Sequence, residues 1–181
     1  MIRNVDNADA RPIADIYNHY ISSSFATFEE KPVSEQAMRE RFAGIAAQDL
    51  PWLVAENDSD DLVGYAYATG WRARSAYRHS VEITVYVAHT ELSCGWGRRL
   101  YDALFRRLEI LQVHCVIAGI TLPNPASVSL HEHFGMKKVA HFEQVGRKFG
   151  QWVDVGYWQR LLDIAGIESL QPSHGLPDPA G

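Results

Sequence analysis

Residues 81–100, VEITVYVAHTELSCGWGRRL, bring a carboxylate, a thiol and two glycines into one stretch. Val81, Ile83, Val85 and Val87 alternate with Glu82, Thr84 and Tyr86, the period-2 pattern of a strand. Gly95 and Gly97 follow where a helix should open. Leu100, Leu104, Leu108 and Leu111 then recur at helical spacing, with Arg99, Arg106, Arg107 and Glu109 off that stripe. A helix start presents unpaired N–H groups and the positive end of a dipole. Glycines without a Cβ let an anion approach those donors closely. The stretch therefore predicts a phosphate-bearing cofactor cradled by Ser93, Cys94, Gly95, Trp96, Gly97 and Arg98. A ligand-free strand-to-helix turn is the competing reading of a bare G-x-G. Position 100 is Leu, so G-x-G-x-x-G is absent, and the missing Lys-Ser/Thr pair excludes a P-loop. A cradle without a metal-binding hydroxyl suits a pyrophosphate carrier better than a nucleoside triphosphatase.

The rest of the chain supplies elements to hold that stretch. Residues 1–5 fit a first strand. Asn7 or Asp9 can cap a helix with Ile13, Ile16, Tyr17 and Tyr20 on one face. Ser34 can cap a second helix to about residue 48, with Met38, Phe42 and Ile45 inward. Residues 52–56 and 62–69 read as strands joined by an acidic turn. Residues 70–79 form a basic, aromatic connection. Residues 114–121 are a further strand, 126–134 a short helix, and 138–144 and 152–159 two closing strands turned at 146–150. Antiparallel hairpins mixed with one helical crossover give an α+β class: a mixed, mostly antiparallel sheet flanked by helices in a single domain. After about residue 163 the pattern fades, and Pro and Gly mark 164–181 as a frayed tail.

At 181 residues and a formal charge of −5, the chain suits one domain and argues against nucleic acid or an anionic membrane as partner. Cys94 and Cys115 are the two cysteines, outside any C-x-x-C or Cys/His cluster, so neither a disulfide framework nor a metal site is expected. A reduced, cytoplasmic setting is the default. No signal-peptide pattern opens the chain, and no apolar run approaches the roughly 20 residues of a membrane span.

Four strings extend the reading: ATFEEKPVS at 26–34, WRARSAYRHSVEITVYV at 71–87, ITLPNPASVSLHEHFGM at 120–136 and GRKFGQWVDVGYWQ at 146–159. With these the chain resembles the GNAT acyltransferase superfamily. Within it the chain resembles the phosphinothricin N-acetyltransferase group, which also covers methionine sulfoximine acetylation. One position departs from the superfamily's Arg/Gln-x-x-Gly-x-Gly/Ala loop: Leu92 holds the Arg/Gln place. Backbone N–H groups build most of that cradle, and Leu does not remove them.

The resemblance implies acetyl-CoA as co-substrate, no metal, a small amino-acid acceptor, and a homodimer whose pocket borrows partner residues. It places the proton acceptor at Glu82, where a partly desolvated carboxylate would have a raised pKa. A solvated strand glutamate is the plainer alternative. Many superfamily members carry Tyr seven residues after the loop Asn; here that residue is His131, whose imidazolium is expected as general acid, with a second base or a helix-surface histidine as the alternatives. Backbone groups of Val85, Tyr86 and Val87 are expected along the pantetheine arm, and Asn124 at the cofactor. Arg72, Arg74 and Tyr77 are the candidate acceptor ligands, since arginine offers paired donors to carboxylate or phosphinate. Phe28 and Glu29 are expected to complete the pocket from the partner subunit. The leading expectation is N-acetylation of a phosphinothricin-like or methionine-derived amino acid. A broader amino-acid or amine acetyltransferase and a non-catalytic acyl-CoA sensor are the alternatives.

Overall fold

A computed structural model describes residues 1–163. In chain order the elements are β1 (Ile2–Asn4), α1 (Ala10–Ser23), α2 (Glu35–Ala46), β2 (Trp52–Glu56), β3 (Leu62–Gly70), β4 (Ser80–Val87), α3 (Trp96–Ile110), β5 (Cys115–Leu122), α4 (Pro125–His133), β6 (Lys137–Lys148) and β7 (Gln151–Leu161). This is the α+β arrangement expected from the sequence. The strands form one seven-stranded sheet in the order β1-β2-β3-β4-β5-β7-β6. Every neighbouring pair is antiparallel except β4 and β5, which α3 joins as a crossover. The expected tail at 164–181 lies outside the described residues.

Each face of the sheet carries its own core. The α3 stripe packs on one face: Leu100, Leu104 and Leu108 are fully buried against Leu53, Ala66, Val81, Ile83 and Val116. The other face meets α1 and α2 through Ile13, Tyr17, Met38, Phe42 and Ile45, packed on Trp52, Val54, Tyr65 and Tyr86. Alternation along β4 thus sends its valines and isoleucine toward α3 and Tyr86 toward α1. The β3–β4 register is unbroken from Gly64↔Val87 to Gly70↔Val81, so this face assignment holds without a bulge.

Some boundaries differ from the sequence reading. Asp6, rather than Asn7 or Asp9, caps the turn that leads into α1, accepting from the Ala8 N–H at 2.6 Å. Asp9 returns the bond to the Asp6 N–H and is gripped by Arg3 at 2.7 and 2.8 Å. Ser34 caps α2 as expected, through the Ala37 N–H. Leu111 falls one residue past α3 and is exposed, so the stripe ends at Leu108. The last hairpin is longer and its turn tighter than expected. β6 runs to Lys148, and only Phe149 and Gly150 turn, both at positive φ, as a two-residue hairpin with right-handed strand twist requires.

Burial of the α3 stripe sets the stability of the crossover. Leu104→Ala should lower the unfolding free energy by about 2–5 kcal/mol, because the site lies between helix and sheet with little room to collapse. Urea denaturation followed by far-UV circular dichroism reads this directly.

Candidate active site

β4 and β5 pair at three positions, Ser80↔Cys115, Val81↔Val116 and Glu82↔Ile117, and then diverge. On its far side β5 stays paired with β7 along its whole length, and β4 stays paired with β3. The divergence therefore opens a gap inside the sheet. The N–H donors of Trp71 and Ala88 bond to the carbonyls of Ser80 and Val63, which fixes the parity of the ladder. Residues 82, 84 and 86 aim their backbone groups at β3, while 83, 85 and 87 aim theirs into the gap. Val85 and Val87 thus fit the expected role of a strand edge open to an extended ligand. Tyr86 does not, because its N–H and C=O face β3. Its side chain is core, and its hydroxyl donates to the Ala26 carbonyl at 3.0 Å. Tyr20 donates to the Val87 carbonyl at 2.6 Å, closing one of the free positions.

A cavity of about 1000 Å³ fills this gap, and Glu82 stands at its apex, on the last paired residue of β4. Burial pushes the Glu82 carboxyl above its ordinary pKa; the Arg72 charge and a hydrogen bond from the Gly119 N–H pull it partly back. Gly119 leaves room for the carboxylate, since a Cβ there would stand 3.3 Å from Glu82 Oε1 and 3.2 Å from the Tyr157 ring. Trp71, Arg72, Tyr157 and Gln159 share that end of the cavity. The Arg72 guanidinium rests on the Trp71 ring, 4.9 Å from its centroid.

His131 lies on the cavity wall but only 4% exposed. Its Nδ1 is 2.7 Å from the Ser127 carbonyl, which can only accept, so Nδ1 carries the proton. Its Nε2 is 2.9 Å from the hydroxyl of Tyr101, which donates to it. Burial lowers the His131 pKa and raises that of Tyr101. The ring is thus a neutral acceptor behind Tyr101 rather than the free imidazolium anticipated as a proton donor. Tyr101 also lines the cavity. No sequence signal marked it, because it sits within the leucine stripe of α3.

At the opening of α3, Gly95 takes φ +83 and Ser93 φ +62, and no side chain caps the helix. The N–H groups of residues 96–98 are therefore available to an anion. Of the expected cradle, Gly97 lines the cavity, as does Leu92 just before it. Gly97 also lets α3 approach α4, where a Cβ would be 3.3 Å from Leu130 Cδ2. The Trp96 side chain is buried and donates to Glu91, so it packs rather than reaching a ligand. Ser93, Cys94 and Arg98 are exposed beside the cavity mouth and do not line it. Asn124 lines the cavity while its Oδ1 caps α4 through the Ser127 N–H at 3.1 Å. The residues fit a diphosphate carrier with an extended arm. Helix donors stand at one end, unpaired strand groups follow, and the gap between β4 and β5 leads on to Glu82.

Four expected substrate ligands sit otherwise than expected. Arg74, just before the exposed turn at 75–77, and Tyr77 within it do not reach the cavity, leaving Arg72 as the arginine of that segment that lines it. Glu29 is held by Arg41 at 2.8 and 3.0 Å and by the Tyr17 hydroxyl, away from the cavity. Phe28 lines the cavity of its own chain.

Residues 2–156 match the acetyltransferase (GNAT) domain model. The chain is 40% identical to a phosphinothricin N-acetyltransferase of Streptomyces viridochromogenes over 163 residues, covering 90% of this chain and 88% of that protein. It is 35% identical to an L-methionine sulfoximine/L-methionine sulfone acetyltransferase of Pseudomonas aeruginosa, over 90% of this chain and 94% of that one. The crystal structure of a GNAT superfamily phosphinothricin acetyltransferase from Sinorhizobium meliloti, solved in complex with AcCoA, superposes with a TM-score of 0.87 at 34% identity, covering 90% and 88% of the two chains. The chain belongs to the GNAT acetyltransferase family and is an acetyl-CoA-dependent N-acetyltransferase.

The raised pKa of Glu82 has a stability consequence. An acid whose native pKa exceeds its unfolded value binds more protons when folded, so stability falls as pH rises from the unfolded carboxylate range through the native value. Glu82→Gln should therefore raise Tm at neutral pH, and the gain should vanish at acid pH. Thermal melts of both proteins across that range check it.

Proposed function

We propose that the chain transfers acetyl from acetyl-CoA to the α-amine of a phosphinothricin-like or methionine sulfoximine/sulfone-like amino acid. The observation that carries this reading is Glu82: a half-buried carboxylate at the apex of the cavity, facing Arg72 across a space closed by Tyr157 and Trp71. Acetyl-CoA supplies an activated acyl group and a thiol leaving group. The diphosphate rests on the N–H groups opening α3, and the pantetheine arm follows the free edge at Val85 and Val87. Glu82 accepts the proton of the attacking ammonium, a task suited to a carboxyl raised toward neutrality. Arg72 offers paired donors to the acceptor's carboxylate or its phosphinyl or sulfoximine head. Asn124 sits on the same wall as the cofactor arm. Tyr101 turns its O–H from His131 Nε2 toward the departing sulfur as a hydrogen-bond donor and keeps its proton, which burial holds on it; His131 stays neutral, and the second proton of the attacking amine passes to the thiolate as the C–S bond breaks. Holding both substrates in one cleft supplies several further kcal/mol.

A homodimer belongs to the proposal. Val139, Phe142 and Val145 on the edge strand β6 line the cavity and are still 50–58% exposed, an apolar margin that a second copy would cover. Both cysteines are free thiols, in keeping with a cytoplasmic setting. Among the described residues no helix is long and apolar enough to cross a membrane.

Purified protein with acetyl-CoA, a thiol reagent and a panel of amines tests the substrate. Phosphinothricin, methionine sulfoximine or methionine sulfone should give the highest kcat/KM; a clear preference for a polyamine would contradict the reading. Glu82→Gln should cut kcat by about 10²-fold or more at neutral pH with acetyl-CoA binding unchanged. Arg72→Ala should raise KM for the amino acid while leaving that for acetyl-CoA unchanged, read from steady-state kinetics in both substrates.

A further inference from the structure

Lys148, at the tip of β6, is 1% exposed although it carries an ammonium. Backbone carbonyls hold it rather than a carboxylate: its Nζ donates to Ser24 O and Thr27 O at 2.7 Å each and to Tyr20 O at 3.4 Å. These carbonyls belong to the end of α1 and the segment after it, where a helix leaves acceptors unpaired and favours a cation. The same segment carries Ala26, Thr27 and Phe28 into the cavity wall. A second contact joins the same two parts. Gly146 lies under the Phe28 ring so closely that a Cβ would come within 2.3 Å of it. The hairpin β6–β7 extends the sheet beyond β5, while α1 packs beside β4. Lys148 and Gly146 therefore tie together the two sides of the gap in which the reaction takes place.

We propose that Lys148 is a positioning residue for the acceptor. It clasps segment 24–28 to the β6–β7 hairpin and so fixes Phe28 as one wall of the amino-acid pocket. The segment's other hydrogen bonds run to β4 and α1: Tyr86 donates to Ala26 O at 3.0 Å, and the Tyr17 hydroxyl meets Thr27 Oγ1 at 2.8 Å, while toward the hairpin Phe25 meets Phe149 edge-on at 5.5 Å and Phe28 lies on Gly146. Without the ammonium the segment keeps its hydrogen bonds to α1 and β4 but loses its polar tie across the gap, leaving only the ring contacts of Phe25 and Phe28 with the hairpin. Acetyl-CoA, by contrast, is held by α3 and β4, which Lys148 does not touch. The clasp acts on acceptor binding alone. Its kinetic signature rests on the acetyl-transfer reading above.

The test is Lys148→Met, which keeps the stem and removes the charge, with Phe28→Ala and the double variant. Acceptor KM should rise about tenfold or more in K148M while KM for acetyl-CoA stays within about twofold, and K148M/F28A should be no worse than F28A because both act through one wall. An unchanged acceptor KM, an equal rise in both KM values, or additive effects in the double variant would overturn the proposal. If K148M does not fold, Gly146→Ala, which displaces Phe28 without touching the charge, is judged by the same split. Hydrogen exchange separates this proposal from the acetyl-transfer reading. K148M should lose amide protection in 24–28 and not in α3, whereas unchanged protection there overturns the clasp. A wild-type protein that acetylates no amine in the panel would sink the acetyl-transfer reading and leave the exchange result to decide the clasp.

Discussion

β4 and β5 share a ladder for three residues and then separate, and the functional site exists because of that separation. A strand held on one side by β3 and left open on the other presents polar backbone groups that a continuous sheet would have consumed. Packing on both faces supports the split. The α3 leucines hold β4 from one side, and α1 holds it from the other through Tyr86 and Tyr20. β5 is anchored away from β4 by its full-length pairing with β7. The gap is therefore framed by two ladders and two cores, and does not depend on the shape of a loop.

Glu82 occupies the residue where pairing ends, and its chemistry follows from that position. Deeper in the sheet a carboxylate would be fully desolvated; farther out it would be solvated and keep an ordinary pKa. At the apex, burial raises its pKa, while Arg72 and the Gly119 N–H limit the rise. Glycine at 119 has a particular use here, since the space of its missing Cβ is bordered by Glu82 and Tyr157. On the opposite wall, burial works on His131 in the other sense, keeping the ring neutral and bonded to Tyr101.

Local patterns carried much of this architecture. The alternation of residues 81–87 identified β4 and the face of Glu82, and the leucine spacing identified α3, because a half-buried strand and an amphipathic helix each print their period on the sequence. Gly95 stands at the helix opening as expected, and its φ of +83 adds a need for glycine that the spacing did not show. Contacts between distant segments left no such print. Nothing local shows that Tyr101 faces His131, that Lys148 reaches the carbonyls after α1, or that Glu29 is captured by Arg41. Arg72, Arg74 and Tyr77 looked equivalent in one basic stretch. The chain leaves the cavity after Arg72, so Arg74 and Tyr77, before and within the turn at 75–77, stand outside it. Backbone direction was equally hidden: β4 parity turns Tyr86 toward β3 and leaves Val85 and Val87 to the gap.

The central claim is that the helix opening at α3, the free edge of β4 and Glu82 form one continuous track for a thioester and the amine it meets. A crystal structure of the protein with acetyl-CoA and methionine sulfone tests this most directly. The account predicts the diphosphate on the N–H groups of residues 96–98, the arm along Val85 and Val87, and the acceptor amine within hydrogen-bond reach of Glu82, directly or through one water. A diphosphate bound elsewhere, or an amine with no path to the Glu82 carboxylate, would contradict it.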